Sequence, residues 1–138
     1  IAHLPGLSIR MLSIGVGLSH AATVRLVDRL AAEGLVERRE HFTDGRTRSL
    51  YLTAAGKVAS DEVLSSRDEV IAEGLSILSP DELRVLCDIA ERVLRHRLEN
   101  LEHSYRICRL CCYEGCTNCP IDAELHERGV DRENSGEA

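Results

Sequence analysis

At 138 residues the chain has room for one small domain with an extension, and for a real core without disulfides. Its 43% hydrophobic and 29% charged residues are those of a globular chain, and no apolar run approaches the roughly 20 residues that a membrane helix needs. The net charge of −6 would argue against a nucleic-acid partner only if it were evenly spread: residues 1–57 carry eight Arg or Lys against five Asp or Glu, and residues 58–138 carry nine against eighteen. Phosphates respond to the local field, so a basic first part on an acidic remainder is compatible with DNA. Ile1 is followed by neither a basic segment nor a secretory cleavage motif, and a cytoplasmic address is the expectation.

Between Leu7 and Gly34 the pattern predicts two short helices with a break. Ser8 to Ile14 form the first, and Gly15-Val16-Gly17-Leu18 interrupt it, with Gly17 suited to the turn. Ser19 is a natural N-cap for the second, in which Leu26, Val27 and Leu30 recur at helical spacing up to Gly34 as a stop. Leu35 to Glu40 and Arg48 to Leu52 then flank an Asp44-Gly45 turn, which predicts a β-hairpin. A helix-turn-helix followed at once by a hairpin is a winged arrangement.

From Thr53 the chain turns helical again, with Val58, Val63, Leu64, Val70, Ile71, Leu75 and Leu78 as an apolar stripe. Ser79-Pro80-Asp81-Glu82 combines a capping Ser, a Pro at the first helical position and a Glu three residues after the cap, a strong helix start. Leu83, Leu86, Ala90, Val93, Leu94, Leu98 and Leu101 continue that helix in the 3.6-residue period. The small wing cannot cover two such stripes, so a homodimer interface is expected here, with Leu94 and Leu98 as residues facing the partner. The expected class is mainly α with a small β-hairpin, divided into a winged module (1–57), dimerisation helices (58–103) and a cysteine-rich tail (104–138).

The tail holds Cys108, Cys111, Cys116 and Cys119 in the spacing C-x2-C-x4-C-x2-C. Two such pairs can place four thiolates around one metal, and in a cytosolic chain disulfides are the less expected use. Four thiolates suit structural zinc, and they suit an iron–sulfur cluster as well. Cys112 is a spare ligand or redox thiol, His103 a nearby helper, and Cys87 ordinary packing beside the helical stripe. Arg128 to Ala138 are polar and expected to be disordered. No Gly-rich phosphate loop, nucleophile elbow or histidine ligand spacing occurs, and an enzyme is not expected.

The string Gly17-Leu18-Ser19-His20-Ala21-Ala22-Thr23-Val24-Arg25-Leu26-Val27-Asp28-Arg29-Leu30, with Gly34 to Arg39, Asp44 to Arg48 and Leu52 to Lys57, resembles the MarR family of bacterial regulators. The likeness runs in consistent order over residues 1–103. It implies a homodimer on a pseudo-palindromic operator in double-stranded DNA, usually a repressor released by a small-molecule effector or by thiol oxidation. Family members normally begin with one or two more helices, which this chain is expected to lack, and the cysteine tail is outside the common pattern.

Within that resemblance, the polar face of the second helix should enter the major groove. Arg25 would give paired hydrogen bonds to guanine, and Ala21 and Val24 would meet thymine methyls. Ser19 and His20, beside the N–H groups of the helix start, suit a phosphate. Arg46 and Arg48 after the wing turn would reach the minor groove or the backbone, and Asp44 would orient Arg46. A reading of another class also stands: a metal- or cluster-carrying protein whose winged helix mediates protein contacts.

Overall fold

The computed structural model describes residues 1–40, 48–111 and 118–130. They form α1 (Ile9–Val16), α2 (His20–Ala32), β1 (Val36–Glu40), β2 (Arg48–Leu52), α3 (Ala54–Leu75), α4 (Pro80–Arg97), α5 (Leu101–Ile107), a 3-10 turn at Cys108–Leu110, and α6 (Pro120–Glu127). The mainly helical class with one small hairpin is the observed one.

The Ser8 hydroxyl caps α1 by accepting the Met11 N–H at 3.2 Å. The helix then runs on through Gly15 and Val16, beyond the break expected from the sequence, and stops only where Gly17 turns left-handed at φ 70°. Gly15 stays helical because it is buried under α5, not because a turn needs it. α2 begins on the Ser19 cap and closes when the N–H groups of Gly34 and Leu35 take up the Ala31 and Leu30 carbonyls.

The hairpin pairs Val36 with Leu52, Arg38 with Leu50 and Glu40 with Arg48, antiparallel. Leu7 adds a bridge that the pattern does not announce: the Gly6 N–H donates to the Leu50 carbonyl at 2.9 Å, and the Leu50 N–H to the Leu7 carbonyl at 3.0 Å. Leu50 is therefore flanked on both sides and fully buried, and with Val27 and Val36 it makes a first core, lined by Ile9, Leu12, Leu30 and Leu52.

α3 starts on Thr53, whose hydroxyl accepts the Gly56 N–H at 3.0 Å and donates to the Gly34 carbonyl at 2.6 Å. The capping box of α4 is present as expected, with the Ser79 N–H donating to the Glu82 carboxylate at 2.8 Å. Accepting that N–H and the Ser79 hydroxyl holds the Glu82 carboxyl below its ordinary range. Both apolar stripes are exposed on the single chain: Val58, Val63, Val70 and Ile71 on α3, and Val85, Leu86, Ile89 and Val93 on α4. Cys87 is exposed as well, rather than packed.

The continuous helix expected up to Leu101 is broken. Leu98 leaves the helix with ψ 114°, and the Asn100 side chain caps a new helix by accepting the His103 N–H at 2.9 Å. An Asn three residues before a willing N–H competes with the helical backbone, and here it wins. α5 runs through residues 103 and 104, where a segment change had been expected. Leu98 lies in a second core with Cys108, Ile121 and Leu125, against which Leu94, Leu101, Ile107, Cys111, Cys119 and Val130 pack. Leu98, expected to face a partner copy, thus faces its own chain. The tail also has more core than its polar composition suggested. α6 is clamped to α4 by Arg95, which pairs with Glu124 at 2.8 Å and with Glu127, and Arg128 donates to the Leu98 carbonyl at 2.8 Å. Arg128 and Val130 therefore belong to the folded part, and residues 131–138 lie outside the described residues.

A Cβ on Gly56 would stand 1.9 Å from the Leu35 carbonyl oxygen, a backbone atom that cannot swing away. Gly56→Ala should therefore cost about 1–3 kcal/mol, although alanine favours helices elsewhere, because the junction of hairpin and α3 must open. Denaturant unfolding of the variant against the parent measures it, and equal midpoints would refute the close approach.

Candidate nucleic-acid interface

The surface of interest is the outer side of α2 with the adjoining strand ends. Its attitude is set from beneath. Val27 is buried on Val36 and Leu50, and Thr23, fully buried, donates its hydroxyl to the Ser19 carbonyl at 3.0 Å, tightening the first turn. Thr23 was not singled out from the sequence; its place four residues before Val27 on the inward face was the available signal.

On the outer side Ser19, His20, Ala21 and Arg25 are exposed, while Val24 is half-buried. The Ser19 hydroxyl is already engaged, accepting the Ala22 N–H at 3.2 Å. The N–H groups of His20 and Ala21, in the first turn, have no intrahelical acceptor and point outward at the positive end of the helix dipole. Ser19 thus acts as a cap, and the anion-binding capacity at this end belongs to the backbone.

Asp28, also exposed on α2, is held by Arg38 of β1 at 2.7 Å. That pair ties α2 to the hairpin and takes one cation and one anion out of the surface field. Arg39 is engaged too: its guanidinium lies 4.5 Å from the Tyr51 ring centre, and its Nε donates to Glu37 at 3.1 Å. Arg25, by contrast, forms no hydrogen bond or ion pair among the described residues, and Arg48 is exposed at the start of β2. Arg46 and Asp44 lie outside the described residues.

Away from this face, Cys108 is buried in the second core, with Cys111 and Cys119 at its edge. The Cys111 N–H donates to the Cys108 carbonyl at 2.9 Å, closing a tight turn between the first two cysteines, and Cys119 stands at the start of α6. Among the described residues no three His, Cys, Asp or Glu side chains are arranged to hold a metal ion. Cys112 and Cys116 lie outside the described residues. His103 is taken up locally, its Nδ1 accepting the Glu99 N–H at 3.3 Å.

Residues 1–47, which carry both helices of the motif and β1, match the family model described as MarR family. The winged helix-turn-helix of this chain is similar to that of the MarR family. The transcriptional repressor MprA of Escherichia coli K12 is 34% identical over 91 residues, 66% of this chain and 51% of that protein. A MarR family protein from Bacillus stearothermophilus superposes with a TM-score of 0.60 at 25% identity, over 66% of this chain and 63% of that one. Streptococcus pneumoniae FabT, solved in complex with DNA, shares the fold with a TM-score of 0.56 at 16% identity, over 67% of this chain and 64% of that one. The chain spans about half the length of the curated relatives it matches first. Curated MarR-type relatives carry the names of transcriptional regulators and repressors, not of enzymes.

Proposed function

We propose that this chain is a sequence-specific DNA-binding transcriptional regulator, a repressor acting as a homodimer on a pseudo-palindromic operator. The observation that carries the reading is the outer face of α2: an exposed, unengaged Arg25 and an open helix N-terminus on a helix held to its hairpin by the burial of Val27 on Val36 and Leu50. A rigid helix with a projecting guanidinium at Arg25, near its open N-terminus, suits reading of a guanine edge, and outward N–H groups suit a phosphate. The DNA complex of FabT, a protein of the same fold, supports the class of partner.

Arg25→Ala is expected to weaken binding to DNA selected from a random pool by about 1–3 kcal/mol and to relax preference at one position per half-site. Arg48→Ala should lower affinity evenly across sequences and reduce the salt slope by about one. Unchanged sequence preference in the first variant would refute the reading of α2. A parent chain that selects no sequence at all would favour the alternative, in which the winged helix contacts protein.

The homodimer is supported by Val85, Ile89 and Val93, four residues apart along α4 and each about half exposed or more, beside the exposed Val63 and Val70 of α3. Two apolar helix faces of this kind are covered by a second copy at little entropic cost, since both are preformed. Leu98 is the wrong probe, because a charge there would be buried in the chain's own core. Ile89→Asp should leave the single chain folded and dissociate the dimer in sedimentation equilibrium, and a monomeric parent would overturn the assignment.

We propose as well that Cys108, Cys111, Cys116 and Cys119 hold one zinc ion or one iron–sulfur cluster. Support comes from the paired spacing; Cys108, Cys111 and Cys119 border the same core, although their side chains are not gathered as a ligand set among the described residues. Each ligand must be a thiolate, so binding weakens as pH falls. Cys116→Ser should abolish the bound metal, and Cys87→Ser, on an exposed position of α4, should leave its stoichiometry alone. Elemental analysis of protein purified without chelator under anaerobic conditions decides: absence of both zinc and iron, with the tail thiols rapidly modified, refutes the site.

A further inference from the structure

α5 is a short helix with two occupied faces. Toward the winged module, Glu102 pairs with Arg10 at 3.0 Å. The Tyr105 carbonyl passes so close to Gly15 that a Cβ there would stand 3.3 Å away, and the Arg106 guanidinium lies beside Gly17, the turn between α1 and α2. These three residues share one side of the helix, at spacings of three and four. On the other side Leu101 and Ile107 pack on the second core, and the chain passes without a loop into buried Cys108. Ser104 between them is fully buried, its hydroxyl donating to the Leu101 carbonyl at 2.6 Å. Arg67 of α3 donates to the Leu110 carbonyl, so the turn carrying Cys108 is also held from a third side.

We propose that α5 is a coupling element: the packing state of the cysteine core around Cys108 sets how firmly α1, and through it α2, is held. The physical basis is the lack of slack. A helix of seven residues is too short to be stable alone, so it stays formed only while both faces are occupied. Loosening the Cys108 core frees Ile107 and Leu101, α5 frays, and α1 loses the surface that covers Gly15. The inputs are events at the Cys108 side, such as metal loading or thiol modification, and the output is the rigidity of the face carrying Arg25. As regulation of DNA binding it rests on the function proposed above; as a coupling within the chain it does not.

The decisive measurement is hydrogen exchange of the α1 amides, Met11 to Val16, in the full chain. Leu125→Ala loosens the second core from α6 and replaces neither a cysteine nor a residue of the winged module. It should speed exchange in α1 by at least about ten-fold, since local opening there then requires only that α5 let go. Cys87→Ser, outside both cores, should leave α1 unchanged. Unchanged α1 protection in Leu125→Ala, with exchange in α6 raised, overturns the coupling. If Leu125→Ala does not fold, the unmodified chain decides by iodoacetamide labelling of Cys108, with and without zinc, read against α1 exchange. Labelling that leaves α1 protection intact is then the refuting outcome. Binding of DNA from the selected pool is measured alongside; its loss in Leu125→Ala supports the regulatory output, whereas a parent chain that binds no DNA refutes the functional reading and leaves the exchange result to judge the coupling.

Discussion

The Leu35 carbonyl accepts the Thr53 N–H at 3.1 Å and lies against the bare α-carbon of Gly56, while the Thr53 hydroxyl donates to the Gly34 carbonyl. Three elements converge on that small area: the end of α2, the root of the hairpin and the start of α3. Because a side chain at residue 56 would not fit, α3 approaches the hairpin as backbone on backbone, and its direction is fixed within its first turn. Everything C-terminal to residue 53 inherits that direction, including the exposed stripes of α3 and α4. In the homodimer proposed above, a junction free to pivot would leave the spacing between two copies' α2 helices undefined, and a two-fold operator would demand a definite one.

Charge is arranged with similar economy. A net −6 is unpromising for a nucleic-acid partner, yet two acidic residues near α2 are spent internally: Asp28 on Arg38 and Glu37 on Arg39. All of the acidic excess lies in residues 58–138, beyond the winged module. These exposed pairs contribute little to stability. Their larger effect is on the field, because they cancel in place and leave Arg25, Arg29 and the open N–H groups of α2 as local positive features.

Local signals were legible in the sequence, and long-range ones were not. Ser19, Ser79-Pro80-Glu82 and Gly34 act within a few residues, so the helices they start and stop could be placed closely. The hairpin strands followed from β-capable runs around an Asp-Gly turn. The bridge of Leu7 to Leu50 and the descent of α5 onto α1 depend on partners more than 40 residues away, and no periodicity encodes them. The end of α4 is hidden from the sequence for a related reason. Leu98 and Leu101 keep the helical period, but they do so in two different elements, because Leu98 turns inward to a core that α6 completes. At the proposed interface the residue types and the helix were legible from the resemblance, while the capture of Asp28 by Arg38 and the capping duty of Ser19 required coordinates.

What keeps α6 in place bears on how that inward turn survives in a polar tail. The apolar anchors are few, chiefly Ile121 and Leu125, and Arg95 and Arg128 grip Glu124 from two sides while Arg128 also holds the Leu98 carbonyl. Hydrogen bonds from Arg95 and then from Arg128 hold the Glu124 carboxyl below its ordinary range. The sign of the linkage follows: a carboxyl depressed in the folded state adds stability above its unfolded pKa, and loses it as pH falls through the folded value. Neutral pH therefore keeps the clamp closed. The same carbonyl of Leu98 that ends α4 is one that a continuing helix would have used, and Arg128 supplies the hydrogen bond it forgoes. Ending α4 there costs the backbone little, so the chain can turn inward at Leu98 and bring Cys108 into the core.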